Sequence, residues 1–178
     1  MILYTINMPI KAIKKIFKNF SKNKKSLNTN ISISTQALRP KVVLIIFPID
    51  KEFFRVASYT YRNLPYTKNE TVFHYIINDN FSDSFSLRKG EVHRINLDKK
   101  MNIINKDILL SKLKNINFDI IIDLNINYES NIEDFVKQDS NYKIGFKHKK
   151  SDLLYNVQLD ISKCSVAEKG YQKILELI

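Results

Sequence analysis

Residues 117–148 read NFDIIIDLNINYESNIEDFVKQDSNYKIGFKH. Phe118 to Leu124 is a short apolar run, broken by Asp119 and closed by Asp123. Three consecutive isoleucines exclude the alternation of a half-exposed strand, so both faces of this strand are expected to be covered. Asp123 and Asn125 then fall at the end of a buried parallel strand, the edge at which open α/β sheets place their ligands. A helix over about Glu129–Lys137 and a second strand, Tyr142–Phe146, come next, the strand holding one of only three glycines.

Working outward, the same alternation of strand and helix recurs. KVVLIIF (41–47) predicts a buried strand ended by Pro48. Residues 50–63 suit a helix that turns Phe53, Phe54, Ala57, Tyr61 and Leu64 toward the sheet and stops at Pro65. TVFHYIIN (71–78) and EVHRINLD (91–98) read as strands, with Phe81–Gly90 between them as loop or short helix. A helix over 103–115 is expected to face Ile104, Ile108, Leu109 and Leu113 inward. LLYNVQL (153–159) reads as a short strand, and a last helix over Val166–Leu177 closes the domain. The implied class is α/β over residues 41–178: a single Rossmann-like, mostly parallel sheet with helices on both faces. No internal repeat is present.

A chain of 178 residues with 44% hydrophobic content is one ordinary domain, long enough to bury roughly 70% of its unfolded surface. Three glycines and four prolines argue against a glycine-rich phosphate loop. The lone Cys164 excludes an intramolecular disulfide and points to a reducing compartment. No apolar run reaches the roughly 18 residues that span a bilayer. Apolar residues precede the lysines at the N-terminus, the reverse of a secretory signal, so a cytoplasmic location is expected.

Charge is uneven. Residues 1–40 hold seven lysines, Arg39 and no acids, so +8 of the net +11 sits in this arm. Within it, MPIKAIKKIFKNF (8–20) reads as an amphipathic helix with Ile10, Ile13, Phe17 and Phe20 on one stripe and Lys11, Lys14, Lys15 and Lys18 mostly off it. Two readings stay open: a helix lying on an anionic membrane surface, or a terminal helix packed on the domain with a solvated basic face. Residues 21–40, polar and Ser/Asn-rich, read as a linker.

Candidate chemistry is sparse. His74, His93 and His148 are far apart in sequence with no pair at ligand spacing, so no metal is expected. No nucleophile elbow is present, and Cys164 has no local histidine, so it is expected to be inert. After the first strand comes Pro48-Ile49-Asp50-Lys51-Glu52, not the glycine turn that lets backbone approach a pyrophosphate; no nucleotide cofactor is expected. Asp123 with Asp50 and Glu52 makes a poor match to a phospho-acceptor site. Lys147–Lys150 with Arg55 and Arg62 could form an anion patch, against the simpler reading of scattered solvated cations. Nucleic-acid binding is not expected, because the positive charge sits in the arm without recognition aromatics.

FDIIIDLN with Ser130, followed by YKIGF, resembles the N-terminal domain of family 9 glycosyltransferases, the lipopolysaccharide heptosyltransferase group. There an FDLVIDLQG–RS segment precedes a K/R–R–IGF strand. Tyr59-Thr60-Tyr61-Arg62-Asn63-Leu64 falls on that family's PALRAL segment, and the resemblance spans about residues 41–160. It implies a GT-B plan: an N-terminal domain that binds the lipid A–core acceptor at the membrane and a C-terminal domain that binds the ADP-sugar donor. The implied acceptor contacts are Asp123, Asn125, Ser130, Arg55, Lys147 and His148.

Three departures qualify the resemblance. These 178 residues hold only the first domain. The family's Gly-Asp, whose Asp is the proposed base, aligns onto Glu52-Phe53, leaving Glu52 and Asp50 as base candidates. Its Gly and Arg after the central strand align onto Ile126 and Glu129, a charge reversal that disfavours a phosphorylated acceptor. The expectation is an acceptor-side domain, inactive alone or dependent on a donor-domain partner and peripheral to the inner face of the cytoplasmic membrane. The alternative is a non-catalytic binding or scaffold protein at that surface.

Overall fold

A computed structural model of the chain describes residues 42–64, 71–85, 89–162 and 166–178. The basic arm with its membrane-contact residues, Lys41, Pro65 and Cys164 lie outside the described residues.

Among the described residues six strands make one sheet: β1 Val42–Ile46, β2 Val72–Asn78, β3 Glu91–Ile95, β4 Phe118–Asp123, β5 Ser140–Phe146 and β6 Val157–Leu159. Their spatial order is β3-β2-β1-β4-β5-β6 and every neighbouring pair is parallel. The helices are α1 Lys51–Tyr61, α2 Lys106–Leu113, α3 Glu133–Val136, α4 Ser151–Leu154 and α5 Ala167–Leu175. A 3₁₀ turn, Asp79–Ser84, succeeds β2.

Alternate residues of the buried strands feed two cores, one on each face. Val43 and Ile45 of β1 and Ile120 and Ile122 of β4 pack with Phe54, Ala57 and Tyr61 of α1 and Tyr171 and Ile174 of α5. Leu44, Ile46 and Ile121 face the other way, against Leu109 and Leu113 of α2, Phe135 and Val136 of α3 and Leu154 of α4. The chain is therefore a Rossmann-like α/β domain covered on both faces. Asp119, which interrupts the apolar run of β4, accepts a hydrogen bond from the Val42 N–H at 3.0 Å and so satisfies the first donor of β1.

The short elements depart from expectation. Residues 153–159 are not one strand: Ser151–Leu154 is a helical turn closed by the Tyr155 N–H on the Ser151 carbonyl, and only Val157–Leu159 pairs with β5. The helix expected over 129–137 shrinks to four residues, with Glu129–Ile132 in turns. The helix expected over 103–115 begins at Lys106, because Ile103 forms a bridge to Leu97. That start turns Ile104 and Ile108 outward, 71% and 62% exposed, while Leu109 and Leu113 face inward as expected. Phe53 is half-buried, and β3 stops at Ile95 instead of running to Asp98.

Candidate functional site at the sheet's switch point

Between β1 and β4 the strand order reverses direction, which makes the C-terminal ends of these two strands the switch point, where open α/β sheets place a ligand crevice. Ile46 lies beside Asp123 in the register. Asn125 ties the two loops together: its side-chain oxygen accepts from the Ile49 N–H at 3.0 Å. Its own N–H and amide nitrogen donate to Asp123 Oδ1 at 2.9 and 2.7 Å. Tyr155, on the turn before β6, donates its hydroxyl to Asp123 Oδ2 at 2.7 Å.

The network continues outward to His148. The Lys150 N–H donates to His148 Nδ1 at 3.2 Å, so the proton of the neutral ring belongs on Nε2. Nε2 lies 3.4 Å from the Tyr155 oxygen and is placed to donate to it. Burial holds the His148 imidazole below its ordinary range, which favours that neutral form. A directed chain thus runs from His148 through Tyr155 to Asp123. The Tyr155 ring lies over Gly145: a Cβ there would come within 2.4 Å of it, so the glycine of the IGF strand makes room for this contact.

Asp123 is itself buried. Burial pushes its carboxyl above the usual carboxylate range, while the bonds from Asn125 and Tyr155 pull the other way. It anchors three loops and is too enclosed to be a phospho-acceptor. The groups nearer solvent are Asp50, Glu129, Tyr128 and His148. Burial first, then the charges of Asp123 and Asp50, push Glu129 upward, so three carboxylates gather at this edge. Tyr171 feels the same two aspartates, and its buried hydroxyl has no hydrogen-bond partner among the described residues.

Asp50 caps α1, its Oδ1 accepting from the N–H groups of Glu52 and Phe53 at 2.9 and 3.0 Å. In a dinucleotide-binding sheet the first helix offers such amides to a pyrophosphate. Here a carboxylate of the chain already takes them.

Most of the other anticipated residues lie apart from this network, and Lys150 touches it only through His148 and Tyr128. Glu52 is exposed and paired with Arg55 at 3.1 Å on the outside of α1. Lys147 pairs with Asp160 at 3.3 Å. Ser130 is exposed on the turn after β4. Lys150 donates to the Tyr128 hydroxyl at 3.0 Å, and Tyr128 in turn donates to Glu133. Arg62 stacks over the Tyr59 ring at 3.6 Å. Each of these cations therefore engages its own neighbour instead of joining a common patch. Asp50, Asp123, Asn125 and His148 come together at the crevice; Glu52, Arg55 and Lys147 are held elsewhere by ion pairs.

Sequence reasoning misses Tyr155 and Tyr128 as members of the site, whereas Glu129 is already singled out there as a charge reversal. The signal for Tyr155 is weak, because an aromatic between two short elements reads equally as strand core. A separate depression of about 220 Å³ lies between α1 and α5, lined by Tyr59, Arg62, Glu168 and Gln172 among others. It lacks the convergent network of the crevice.

An all-parallel doubly wound sheet with acidic, hydrogen-bonded side chains at its switch point defines the class: a Rossmann-like α/β domain. Among solved structures, the chain is similar in fold to E. coli heptosyltransferase WaaC with ADP, at 14% sequence identity and a TM-score of 0.54. The match covers 74% of this chain and 45% of that one, so the chain spans less than half of the heptosyltransferase. No protein-family model matches the sequence, and no curated protein does.

Proposed function

We propose that these residues form the acceptor-side domain of a heptosyltransferase-like glycosyltransferase and do not transfer sugar by themselves. The observation that carries this reading is the chemistry of the crevice. The carboxylates of Asp50, Asp123 and Glu129 gather at an edge whose helix N-terminus is already capped by Asp50. Such a lining suits the hydroxyls of a sugar acceptor and disfavours a nucleotide diphosphate or a phosphorylated acceptor. Glycosyl transfer requires a donor held opposite the acceptor and a base within hydrogen-bond reach of the attacking hydroxyl. Of the two base candidates, Asp50 lies in the electrostatic field of the crevice, whereas Glu52 is tied to Arg55. A donor domain, from a partner or from a larger assembly, completes the site, and the basic arm holds the complex on an anionic membrane surface.

The purified chain, given ADP-heptose and a lipid A–core acceptor, is expected to show no sugar transfer. Robust turnover would refute the proposed dependence on a second domain.

A second reading, a non-catalytic binding or scaffold domain, draws support from Met101, Ile104 and Ile108, which are exposed on the segment after β3. Co-purification separates the two readings: a nucleotide-sugar-binding partner favours the first, an unrelated envelope-assembly protein the second.

A further inference from the structure

Toward the N-terminal ends of β2 and β3, away from the crevice, the parallel register sets His74 beside Glu91, with His93 two residues further along the same face. His74 Nδ1 and His93 Nε2 lie 3.1 Å apart. Glu91 places one carboxylate oxygen 3.5 Å from the first nitrogen and the other 3.9 Å from the second. One donor atom from each of the three residues falls within 4.8 Å of the others. A tetrahedral ion with bonds of about 2.05 Å holds its donors about 3.3 Å apart, so the observed spacings bracket the bite that such an ion needs.

We propose that His74, His93 and Glu91 form a binding site for one divalent transition-metal ion of the zinc type, clipping the edge strand β3 to β2. Two imidazoles and one carboxylate select zinc, nickel, copper or ferrous ions over magnesium and calcium, which prefer all-oxygen sites. Both rings are buried, with Phe118 edge-on to His74, while Glu91 is 63% exposed. The ion therefore sits at the rim, with water completing its shell from the Glu91 side. Without an ion, one ring donates its N–H to the other across the 3.1 Å gap. Coordination moves that proton to the far nitrogen of the same ring through solvent, so two neutral rings bind with no net proton release.

The test is titration of the untagged, chelator-treated chain with zinc chloride by calorimetry, together with the visible spectrum of the cobalt form. One equivalent per chain is expected, with a rise in Tm and cobalt bands of a tetrahedral site. His74→Gln and His93→Gln are each expected to weaken uptake at least about tenfold. Glu91→Gln, at an exposed position that leaves folding intact, is expected to weaken it measurably, and Glu176→Gln, exposed just after α5, to leave it unchanged. A wild-type chain that takes up no zinc at millimolar concentration would overturn the assignment. So would uptake undiminished by both His93→Gln and Glu91→Gln.

Discussion

The Tyr155 hydroxyl donates to a buried carboxylate and receives from His148, so its removal leaves both without their shared partner. A hydrogen bond to a charged group is worth about 1.5–3 kcal/mol, and Tyr155→Phe is expected to lower unfolding stability by about 2 kcal/mol in urea titration. Gly145→Ala drives a methyl into the same ring and is expected to cost about 1–3 kcal/mol. Because both changes act on one contact, the double variant should lose less than the sum of the two. Full additivity would mean that the ring and the hydroxyl are not coupled. Asp123 makes a prediction with a definite sign. Its folded-state carboxyl titrates above the ordinary 3.8, so the folded chain holds a proton that the unfolded chain has lost, and stability falls as pH rises through that window. Asp123→Asn removes this contribution: relative to wild type the variant should be more stable at pH 7 than at pH 4, and the reverse trend would contradict the burial argument. At this scale Asp123 and Asn125 are legible in the sequence, since a buried run that ends in two polar residues marks a strand's C-terminal edge. The pairing of His74 with His93 is not, because nineteen residues separate them and only the parallel register brings their nitrogens together.

At the scale of elements, the residue that opens α1 matters more to its stability than the ion pair on its outer face. Asp50 satisfies two amides, so Asp50→Ala is expected to cost about 1 kcal/mol, whereas Glu52→Gln, on an exposed ion pair, should change stability by less than about 0.5 kcal/mol. Thermal melts of the two variants decide this; equal losses would mean that Asp50 is not the cap. The outward face of α2 makes the complementary case. Ile108→Lys should leave stability within about 0.5 kcal/mol of wild type, while Leu109→Ala, on the buried side, should cost about 2–5 kcal/mol. The long strands and α1 are legible because runs of β-branched residues and an apolar spacing of three and four bury one definite surface. The four-residue turns α3 and α4 are not, because elements that short are set by side-chain bonds and loop closure, which leave no periodicity to read. The face of α2 is misread for a related reason: Ile103, Ile104 and Ile108 look alike in sequence, and only the bridge from Ile103 to Leu97 fixes which of them turns inward.

For the whole molecule, the strand order β3-β2-β1-β4-β5-β6 sets the crevice at one place, between β1 and β4, and the acceptor-side reading depends on what lines it. Rossmann-like architecture can be read from alternating strands and helices alone. The acidity of the crevice cannot, because Asp50 and Glu129 are far apart in the chain and meet only once β1 and β4 lie side by side. Among the described residues no helix is long and apolar enough to cross a membrane. The proposed membrane association rests on the charge of the +8 arm: vesicle co-sedimentation should require anionic lipid, weaken with salt and fall when residues 1–25 are removed. Binding indifferent to both salt and truncation would remove the arm from the account. The central claim is that this domain receives the sugar acceptor and not the nucleotide donor. It is tested most directly by amide NMR of the labelled chain titrated separately with a lipid A–core oligosaccharide and with ADP-heptose. The account predicts that the oligosaccharide shifts resonances at Asp50, Asn125, Glu129 and Tyr155 while ADP-heptose leaves them in place; saturable shifts at that edge from ADP-heptose alone would contradict it.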